Sequence, residues 1–403
     1  MLHENELTPL PEGWVWKRSD DLVTKLKPGK LFDSRSTEAS GEVPVLNQSE
    51  HGYLGFHDEE AGVQASPSNP VATFANHTCA MRLVKRPFSC IQNIFPKIGI
   101  EGISDTAWFY YAMQGRVRIS EYKGHHPLYR EAFVPTPPLS TQRRIASILA
   151  AYDDLIENNT RRIAILEEMA RRIYEDWFVH FRFPGHDNVR MVESELGLVP
   201  ERWAVTKAST AIHINPQTKV AKDGIKPFVA MNCLSDASML IGKPEQRTGN
   251  SGSKFRNDDT LFARITPCLE NGKTGFVQFL PDAESAAFGS TEFIVLRSHS
   301  LTPEFVYLLA RSTPFRDNAI KSMSGASGRQ RVRDACFDTF MLTQPDARTL
   351  RAFGKKVQPM FRLIQTLAMK NANLRTIRDL LLPKLISGEL DVSATPEPEA
   401  AAA

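Results

Sequence analysis

The sequence predicts an α+β protein in which two globular domains are joined by two long antiparallel coiled-coil helices. Three observations predict this fold. The stretch from Leu139 to Phe181 contains no proline or glycine and carries a heptad pattern of apolar residues. A second seam with the same spacing follows later in the chain. Short motifs also recur in the same order in both halves, which indicates an internal pseudo-twofold repeat.

The first helix is predicted in residues 137–182. Its inward positions alternate in steps of four and three, and the prolines of Pro135–Pro138 and Pro184 delimit it. A helix of this length spans about 60 Å, far more than a usual globular helix. The seam positions are Ile145, Leu149, Tyr152, Ile156, Asn159, Ile163, Leu166, Ala170, Ile173 and Trp177.

The second helix is predicted in residues 344–390. Its seam repeats the first seam 208 positions later: Phe353 corresponds to Ile145, and Leu385 corresponds to Trp177. One narrow apolar seam cannot bury itself, so we expect the two helices to pack against each other. Pro359 should kink or break the second helix, and so should Pro383. The seam positions are Phe353, Val357, Met360, Ile364, Leu367, Asn371, Leu374, Arg378, Leu381 and Leu385.

Each seam contains one asparagine near its middle. If the helices pack antiparallel about their midpoints, Asn159 faces Asn371. A polar pair inside an apolar seam fixes the register of two helices at some cost in stability. The sequence therefore predicts that these amides pair, and the alternative is that both point to solvent.

The internal repeat extends to the globular parts. Pro11-Glu-Gly-Trp14 recurs as Pro200-Glu-Arg-Trp203, and the segment Phe74–Cys79 recurs as Phe262–Cys268. At 403 residues the chain is too long for one ordinary core. The predicted organisation is a first globular domain (1–136), a helix (137–182), a linker with a second globular domain (183–343), a helix (344–390) and a disordered tail (391–403).

Short apolar runs between turn residues predict strands in both globular domains. Ala107–Met113 fits either a helix or a strand, whereas Thr302 is expected to cap a helix that ends near Arg311. The predicted strands are Gly41–Leu46, Val71–Phe74, Phe88–Phe95, Thr260–Ile265, Gly275–Phe279 and Glu292–Leu296.

Composition excludes several classes of protein. No apolar run approaches the roughly 20 residues that span a bilayer, and the first residues lack the apolar core of a signal peptide, so we expect a cytoplasmic protein. The 5 cysteines are scattered and support neither a disulfide framework nor a zinc site. A net charge of +3 means that any contact with nucleic acid must come from local basic patches.

The motifs of a catalytic protein are missing. Gly272-Lys273-Thr274 resembles the end of a phosphate loop, but Pro267 stands where that motif needs glycine. The chain has no Asn-Pro-Pro-aromatic or Asp-Pro-Pro-Tyr tetrapeptide of the kind that amino-methyltransferases use. We therefore expect a non-catalytic chain that binds no metal or cofactor of its own.

Basic residues in glycine-containing loops are the candidate DNA contacts. Glycine lets backbone amides approach a phosphate, while arginine and glutamine bind guanine and adenine edges bidentately. Loop 323–333 combines both, and loop 122–130 holds a corresponding position before the first helix; a solvated helix start is the alternative for loop 323–333. The loop candidates are Ser324, Gly325, Ser327, Gly328, Arg329, Gln330, Arg331 and Arg333 in the second half, and Lys123, His125, His126 and Arg130 in the first. Further candidates, for positioning a phosphate, are Arg82, Lys85, Arg86, Lys254, Arg256, Arg264 and Lys273, and an ordinary surface charge is the alternative for each.

The helical segments resemble those of a known family. Pro137-Pro-Leu-Ser-Thr-Gln-Arg-Arg-Ile-Ala146 and the stretch Glu168–Val179 are similar to the central conserved region of type I restriction-modification specificity subunits. Leu380-Leu-Leu-Pro-Lys-Leu-Ile-Ser-Gly-Glu-Leu390 resembles their distal conserved region. Leu10–Trp14 and Val199–Trp203 look like the starts of their two target recognition domains.

This resemblance implies that each globular domain recognises one half of a bipartite sequence in double-stranded DNA, with the helix pair as a ruler for the spacer. It also implies two methyltransferase subunits bound through the helices, which use S-adenosylmethionine, and restriction subunits that use ATP and Mg²⁺. The alternatives are a self-contained DNA methyltransferase or endonuclease, which would act without partners, and a coiled-coil scaffold without salt-dependent affinity for DNA.

Overall fold

A computed structural model describes residues 8–119, 124–326 and 328–396. The chain divides into two compact units, unit 1 (Met1–Ile156 with Asn373–Ala403) and unit 2 (Glu157–Ala372). Each unit contains β-sheets, short helices and one part of each long helix, so the prediction of a mixed α/β chain with two globular parts and long helices is confirmed. Among the described helices, none is both long and apolar enough to cross a membrane.

Unit 1 is built on three small sheets. One has the strand order β2-β8-β5-β6 with antiparallel neighbours, one has the order β4-β3-β7, and β1 pairs with β9. The elements are β1 (Val15–Arg18), β2 (Val23–Lys25), β3 (Val43–Leu46), β4 (Gly55–His57), β5 (Val71–Ala75), β6 (Met81–Val84), β7 (Ser89–Cys90), β8 (Ile94–Gly99), α1 (Thr106–Met113), α2 (His126–Glu131) and β9 (Phe133–Thr136).

The segment of ambiguous pattern in unit 1 is the helix α1. Asp105 caps it, because its carboxylate accepts a hydrogen bond from the backbone N–H of Trp108 at 2.8 Å. Trp108 and Phe109 are fully buried against the sheet that contains Phe74. A helix hydrophobic on most sides belongs in a core, which explains why its period could not be assigned from sequence.

Unit 2 contains two four-stranded sheets, with the orders β13-β20-β17-β18 and β15-β14-β19-β16, and the strand pairs β10-β11 and β12-β21. Its elements are β10 (Met191–Ser194), β11 (Gly197–Pro200), β12 (Ala204–Lys207), α4 (Ala208–Ala211), β13 (Ile212–Ile214), β14 (Lys226–Val229), β15 (Glu245–Arg247), β16 (Ser253–Arg256), β17 (Thr260–Ala263), β18 (Thr274–Phe276), β19 (Ala286–Gly289), β20 (Phe293–Ser298), α5 (Pro303–Arg311), α6 (Thr313–Lys321), α7 (Cys336–Thr339) and β21 (Met341–Gln344).

The predicted helix start at Thr302 is confirmed. Its hydroxyl accepts a hydrogen bond from the backbone N–H of Phe305, and Pro303 occupies the first position of α5. The predicted strands overlap the observed ones, except that Phe88–Phe95 is divided. It contains β7 and the start of β8, because Asn93, with φ +68°, lies between them in the left-handed region.

The two long helices are α3 (Leu139–Tyr174) and α8 (Ala347–Ser387). All of their predicted seam positions are buried or half-buried. The helix α8 continues through Pro359 and Pro383, so neither proline breaks it, and a kink at either residue stays a prediction. A proline removes one backbone hydrogen bond, and burial of the neighbouring seam residues compensates for that loss.

Within unit 1, α3 is fixed at its start. The Gln142 side chain is 1% exposed; its oxygen accepts a hydrogen bond from the backbone N–H of Asp105 at 2.9 Å, and its amide donates to the carbonyls of Ile103 and Pro137. Further along, Asp153 binds both Arg378 of α8 and the hydroxyl of Tyr111. Arg378, which the heptad pattern placed inward, is thereby paired at a half-buried position.

Within unit 2, the two seam asparagines lie together. Asn159 Nδ2 donates to Asn371 Oδ1 at 2.9 Å, and Asn371 Nδ2 donates to the hydroxyl of Thr160 at 3.1 Å. Both asparagines are buried, with 8% and 3% of their surface exposed. This geometry excludes the alternative in which both amides point to solvent.

Replacing Asn371 by leucine is expected to reduce the free energy of unfolding by about 1–3 kcal/mol, because the Asn159 amide loses its partner in a buried position. The double variant Asn159→Leu/Asn371→Leu should lose less than the sum of the two single variants. Urea unfolding of all four proteins gives the coupling energy directly. Additive effects would show that the two amides do not depend on each other.

Candidate nucleic-acid interface

Loop 323–333 of unit 2 folds as a hairpin and not as a helix start. Ser324 and Arg331 exchange two backbone hydrogen bonds, at 3.1 and 2.9 Å. Gly325 and Gly328 have φ of +126° and +79°, which side chains rarely adopt, so glycine is needed at both turn positions. Val332, fully buried, anchors the hairpin to the core. Ser327 lies outside the described residues.

The arginines of this hairpin differ in their partners. Arg331 makes a bidentate ion pair with Glu292, with contacts of 2.6–3.0 Å, and this pairing lowers the pKa of the glutamate. Arg333 donates to the Ser324 hydroxyl at 2.8 Å. Among the described residues, the side chains of Arg329 and Gln330 make no hydrogen bond, and Arg329 is exposed. These two side chains are therefore the ones available to a ligand.

Arg264 supports the hairpin from beneath. Its guanidinium donates to the carbonyl of Val332 at 2.7 Å and lies 3.5 Å from Asp334. Its Nε is buried and has no partner within the part of the chain that the structure describes. Lys273 makes a long hydrogen bond, 3.5 Å, to the carbonyl of Met231. Arg264 thus combines a positioning role with one unused donor.

The corresponding loop of unit 1 is bound to its own sheet. His125 is 2% exposed, and its backbone N–H and ring Nδ1 both contact the carbonyl of Asn76. Arg130 makes a bidentate contact with Asp20 at 2.9 and 2.6 Å. Lys123 lies outside the described residues. Asp20 therefore already binds two of the three guanidinium nitrogens of Arg130.

His126 lies among aromatic and basic side chains. Its ring stacks on Phe95 with 3.8 Å between the ring centres. Burial, followed by the nearby charges of Lys97, Lys25 and Arg130, lowers the pKa of His126 to about 4. Lys97 is 2% exposed, and burial lowers its pKa to about 8 although Asp20 opposes the shift. The imidazole is therefore neutral at pH 7.

Acidification should destabilise unit 1 through His126. The unfolded chain protonates this imidazole near pH 6.5, but the folded chain does so only near pH 4. The contribution of the neutral imidazole is complete above pH 6.5 and is lost as the pH falls toward 4. His126→Phe, which keeps the ring stacking, should show a flatter dependence of melting temperature on pH between 6.5 and 4.

The matched control for this experiment is His77→Phe, at an exposed position of the same unit. It should retain the pH dependence of the unsubstituted protein. Equal slopes for His126→Phe and the unsubstituted protein would contradict the assignment.

The remaining first-half candidates make contacts within unit 1. Arg82 donates to the carbonyls of Ser49 and Gly52 and to the side chain of Asn47, so it holds loop 47–52 closed. Lys85 makes an ion pair with Asp154 at 2.6 Å. The prediction that these residues contact DNA stays a prediction, with a structural role evident for Arg82.

Sequence reasoning missed a polar segment of unit 2. Residues 215–219, Asn-Pro-Gln-Thr-Lys, line a groove of about 580 Å³ together with Lys254, Arg264 and Thr291. The signal was present in the sequence, because asparagine, glutamine and lysine alternate with proline and threonine directly after a strand. Isolated from the fold, such a run is indistinguishable from an ordinary loop.

No protein-family model matches the chain. It is 24% identical to the type I restriction enzyme MjaIX specificity subunit of Methanocaldococcus jannaschii, over 96% of both chains. It is 26% identical to the type I restriction enzyme HindI specificity subunit of Haemophilus influenzae, over 63% of this chain and 68% of that one. The crystal structure of a type I restriction-modification S subunit from M. genitalium shares the fold, with a TM-score of 0.60 and 15% identity over 96% of this chain and 99% of that one. The resemblance predicted from the helical motifs is confirmed.

Proposed function

We propose that this chain, which is similar along its whole length to type I restriction enzyme specificity subunits, is the DNA-recognition subunit of a type I restriction-modification complex. One observation carries the proposal. The similarity to the MjaIX specificity subunit covers 96% of both chains, and so includes both globular parts and both long helices. A shared domain alone would not support the function of the whole protein.

In this proposal unit 1 and unit 2 each bind one half of a bipartite site in double-stranded DNA. The two units have similar closing elements, which supports an internal repeat. In unit 1, β1 pairs antiparallel with β9 just before α3, and in unit 2, β12 pairs antiparallel with β21 just before α8. Related modules placed on one chain suit two separate half-sites.

The helices α3 and α8 act as the spacer ruler and as the docking surface for two methyltransferase subunits. The Asn159–Asn371 pair sets their register. Apolar side chains are exposed on both helices, and exposed apolar surface is typical of protein interfaces. They are Leu155, Ile377 and Leu380 in unit 1 and Ile165, Met169 and Met369 in unit 2.

The chain itself is non-catalytic in this proposal. The methyltransferase subunits supply S-adenosylmethionine and the base-flipping pocket that adenine methylation in a duplex requires. Restriction subunits supply the ATP- and Mg²⁺-dependent cleavage. This chain holds the duplex in the register that both activities need.

The test is to co-express the chain with its methyltransferase subunits in a host without adenine methylation and to map methylated adenines by sequencing. We expect one asymmetric, bipartite site with a fixed spacer. Random methylation, or none, would overturn the proposal. Methylation by the chain alone with S-adenosylmethionine and Mg²⁺ would favour a self-contained enzyme. Absence of salt-dependent DNA affinity in the assembled complex would favour a scaffold.

A further inference from the structure

We propose that residues 215–219 of unit 2, the 215–219 loop, contact base edges in the half-site that unit 2 recognises, with Gln217 and Lys219 as specificity-determining residues. The inference rests on the proposed function and identifies the segment that carries it out.

The side chains of the loop alternate in exposure. Asn215, Gln217 and Lys219 are exposed, whereas Pro216 and Thr218 are half-buried. The Asn215 side chain is bonded within the protein, so Gln217 and Lys219 are the two polar side chains of the loop that are open to solvent. Within the described residues, Gln217 and Lys219 make no hydrogen bond or ion pair through their side chains.

These two side chains have the chemistry of base recognition. Glutamine binds adenine bidentately through its N6 and N7 edge in the major groove, and lysine donates to the O6 and N7 acceptors of guanine. Both are free to do so, unlike Arg331, which Glu292 occupies with a bidentate pair. The loop therefore offers unpaired donors and acceptors, as Arg329 of the hairpin does and Arg331 does not.

The ends of the loop are held rigidly. Asn215 has φ +47°; its side-chain oxygen accepts from the N–H of Val295 at 2.9 Å, and its amide donates to Asp334 at 2.8 Å. The Thr218 hydroxyl accepts from Arg297 at 2.9 Å, and the same guanidinium binds the buried Asp259. A preformed loop loses little conformational entropy on binding, which favours affinity and discrimination.

Basic side chains lie on the surfaces next to the loop. Pro216 and Gln217 line both of two neighbouring grooves, of about 580 and 680 Å³. The first groove also contains Lys219, Lys254 and Arg264, and the second contains His213, Arg256 and Arg297. Neither groove has an aspartate or glutamate among its lining residues. Arg297 is paired with the buried Asp259 and Arg264 lies beside Asp334, so Lys219, Lys254 and Arg256 are the groove cations without an ion pair among the described residues. Such cations suit a duplex, because phosphate contacts position the backbone while the loop meets base edges.

The experiment uses the chain assembled with its methyltransferase subunits and a duplex library randomised over the unit 2 half-site. Gln217→Ala should lower discrimination at one adenine-containing position by about 10- to 100-fold, and Lys219→Ala should do the same at a guanine-containing position. Gln217→Glu should shift preference toward cytosine, whose amino group donates to a carboxylate. The other half-site and the spacer length should not change.

The matched controls are Gln246→Ala and Lys321→Ala, exposed residues of unit 2 that line neither groove. They should leave the recognised sequence unchanged. If the Gln217→Ala variant and the Lys219→Ala variant both recognise the same DNA sequence as the unsubstituted complex, the inference is overturned and the proposed function is left intact. Equal loss of affinity for every duplex would also overturn it, since that result indicates phosphate contacts alone. If the unsubstituted complex methylates no specific sequence, the proposed function itself fails.

Discussion

Replacing Asp259 by alanine is expected to lower the free energy of unfolding of unit 2 by about 3–5 kcal/mol. The Asp259 side chain is fully buried and binds Arg297 through two contacts of 2.7 Å; it also accepts from the backbone N–H of Arg256 at 2.8 Å. The substitution leaves the Arg297 guanidinium, 12% exposed, without its counter-charge. An unpaired buried charge costs much more than the net contribution of the pair.

Chemical denaturation monitored by circular dichroism measures this loss. The matched control is Asp176→Ala, which removes the aspartate of an Asp–Arg pair in the same unit whose side chains are 43% and 60% exposed. Surface pairs contribute about 0–1 kcal/mol, so the control should change little. Similar losses for the two variants would contradict a dominant role for burial.

The Asp259 variant should also disturb DNA recognition by unit 2. Arg297 joins Asp259 to Thr218 of the 215–219 loop, so loss of the carboxylate releases one anchor of that loop. Discrimination at the unit 2 half-site should fall while the unit 1 half-site is read as before. Sequencing of methylated sites from a randomised library checks both halves in one experiment.

Replacing Phe178 by alanine is expected to destabilise unit 2 by about 3–5 kcal/mol, the usual range for a buried phenylalanine. Phe178 lies in a π-helical turn, Glu175–Val179, that directly follows α3. Its ring meets Phe305 edge-on with 4.7 Å between centres, Phe353 with 4.9 Å and Trp203 with 5.7 Å. One side chain therefore connects the end of α3 to α5, to α8 and to the segment before β12.

The neighbouring Val179 is the control, because it is 54% exposed in the same turn. Val179→Ala should leave the free energy of unfolding within about 0.5 kcal/mol of that of the unsubstituted protein. A small effect of Phe178→Ala would mean that the surrounding rings collapse into the space. A shift of the tryptophan fluorescence maximum, to which Trp177 and Trp203 both contribute beside Phe178, would reveal such a collapse.

Local pattern was sufficient to predict the helices and several strands. The apolar residues of α3 recur with the heptad spacing that is typical of a helix packed along one face. The cap at Thr302 depends only on residues within one helical turn. The pairing of Asn159 with Asn371 could also be anticipated, since seam register and an antiparallel arrangement fix the positions that meet. Whether Pro359 would kink or break α8 could not be decided from the sequence, because helix continuity there depends on packing, which propensity does not include.

The sequence could not show which candidate site residues already have partners, because those partners are distant in sequence. Arg130 and Arg331 have the residue type and loop context of DNA contacts, yet Asp20 and Glu292 occupy them from 110 and 39 positions away. Conversely, Gln217 carries no local signal that separates it from other loop glutamines. Its neighbours, Lys254 among them, reach the same groove only through the folding of the sheets.

By itself, the sequence determined the two long helices, the inward face of each, the paired asparagines and the resemblance to specificity subunits, because all of these are encoded in spacing along one element. The tertiary structure alone decided which cations remain available and which polar loop is presented to a ligand. The physical reason is that an ion pair or a groove is formed by side chains from separate strands and loops. Their distances are set when the core packs, so no local pattern records them.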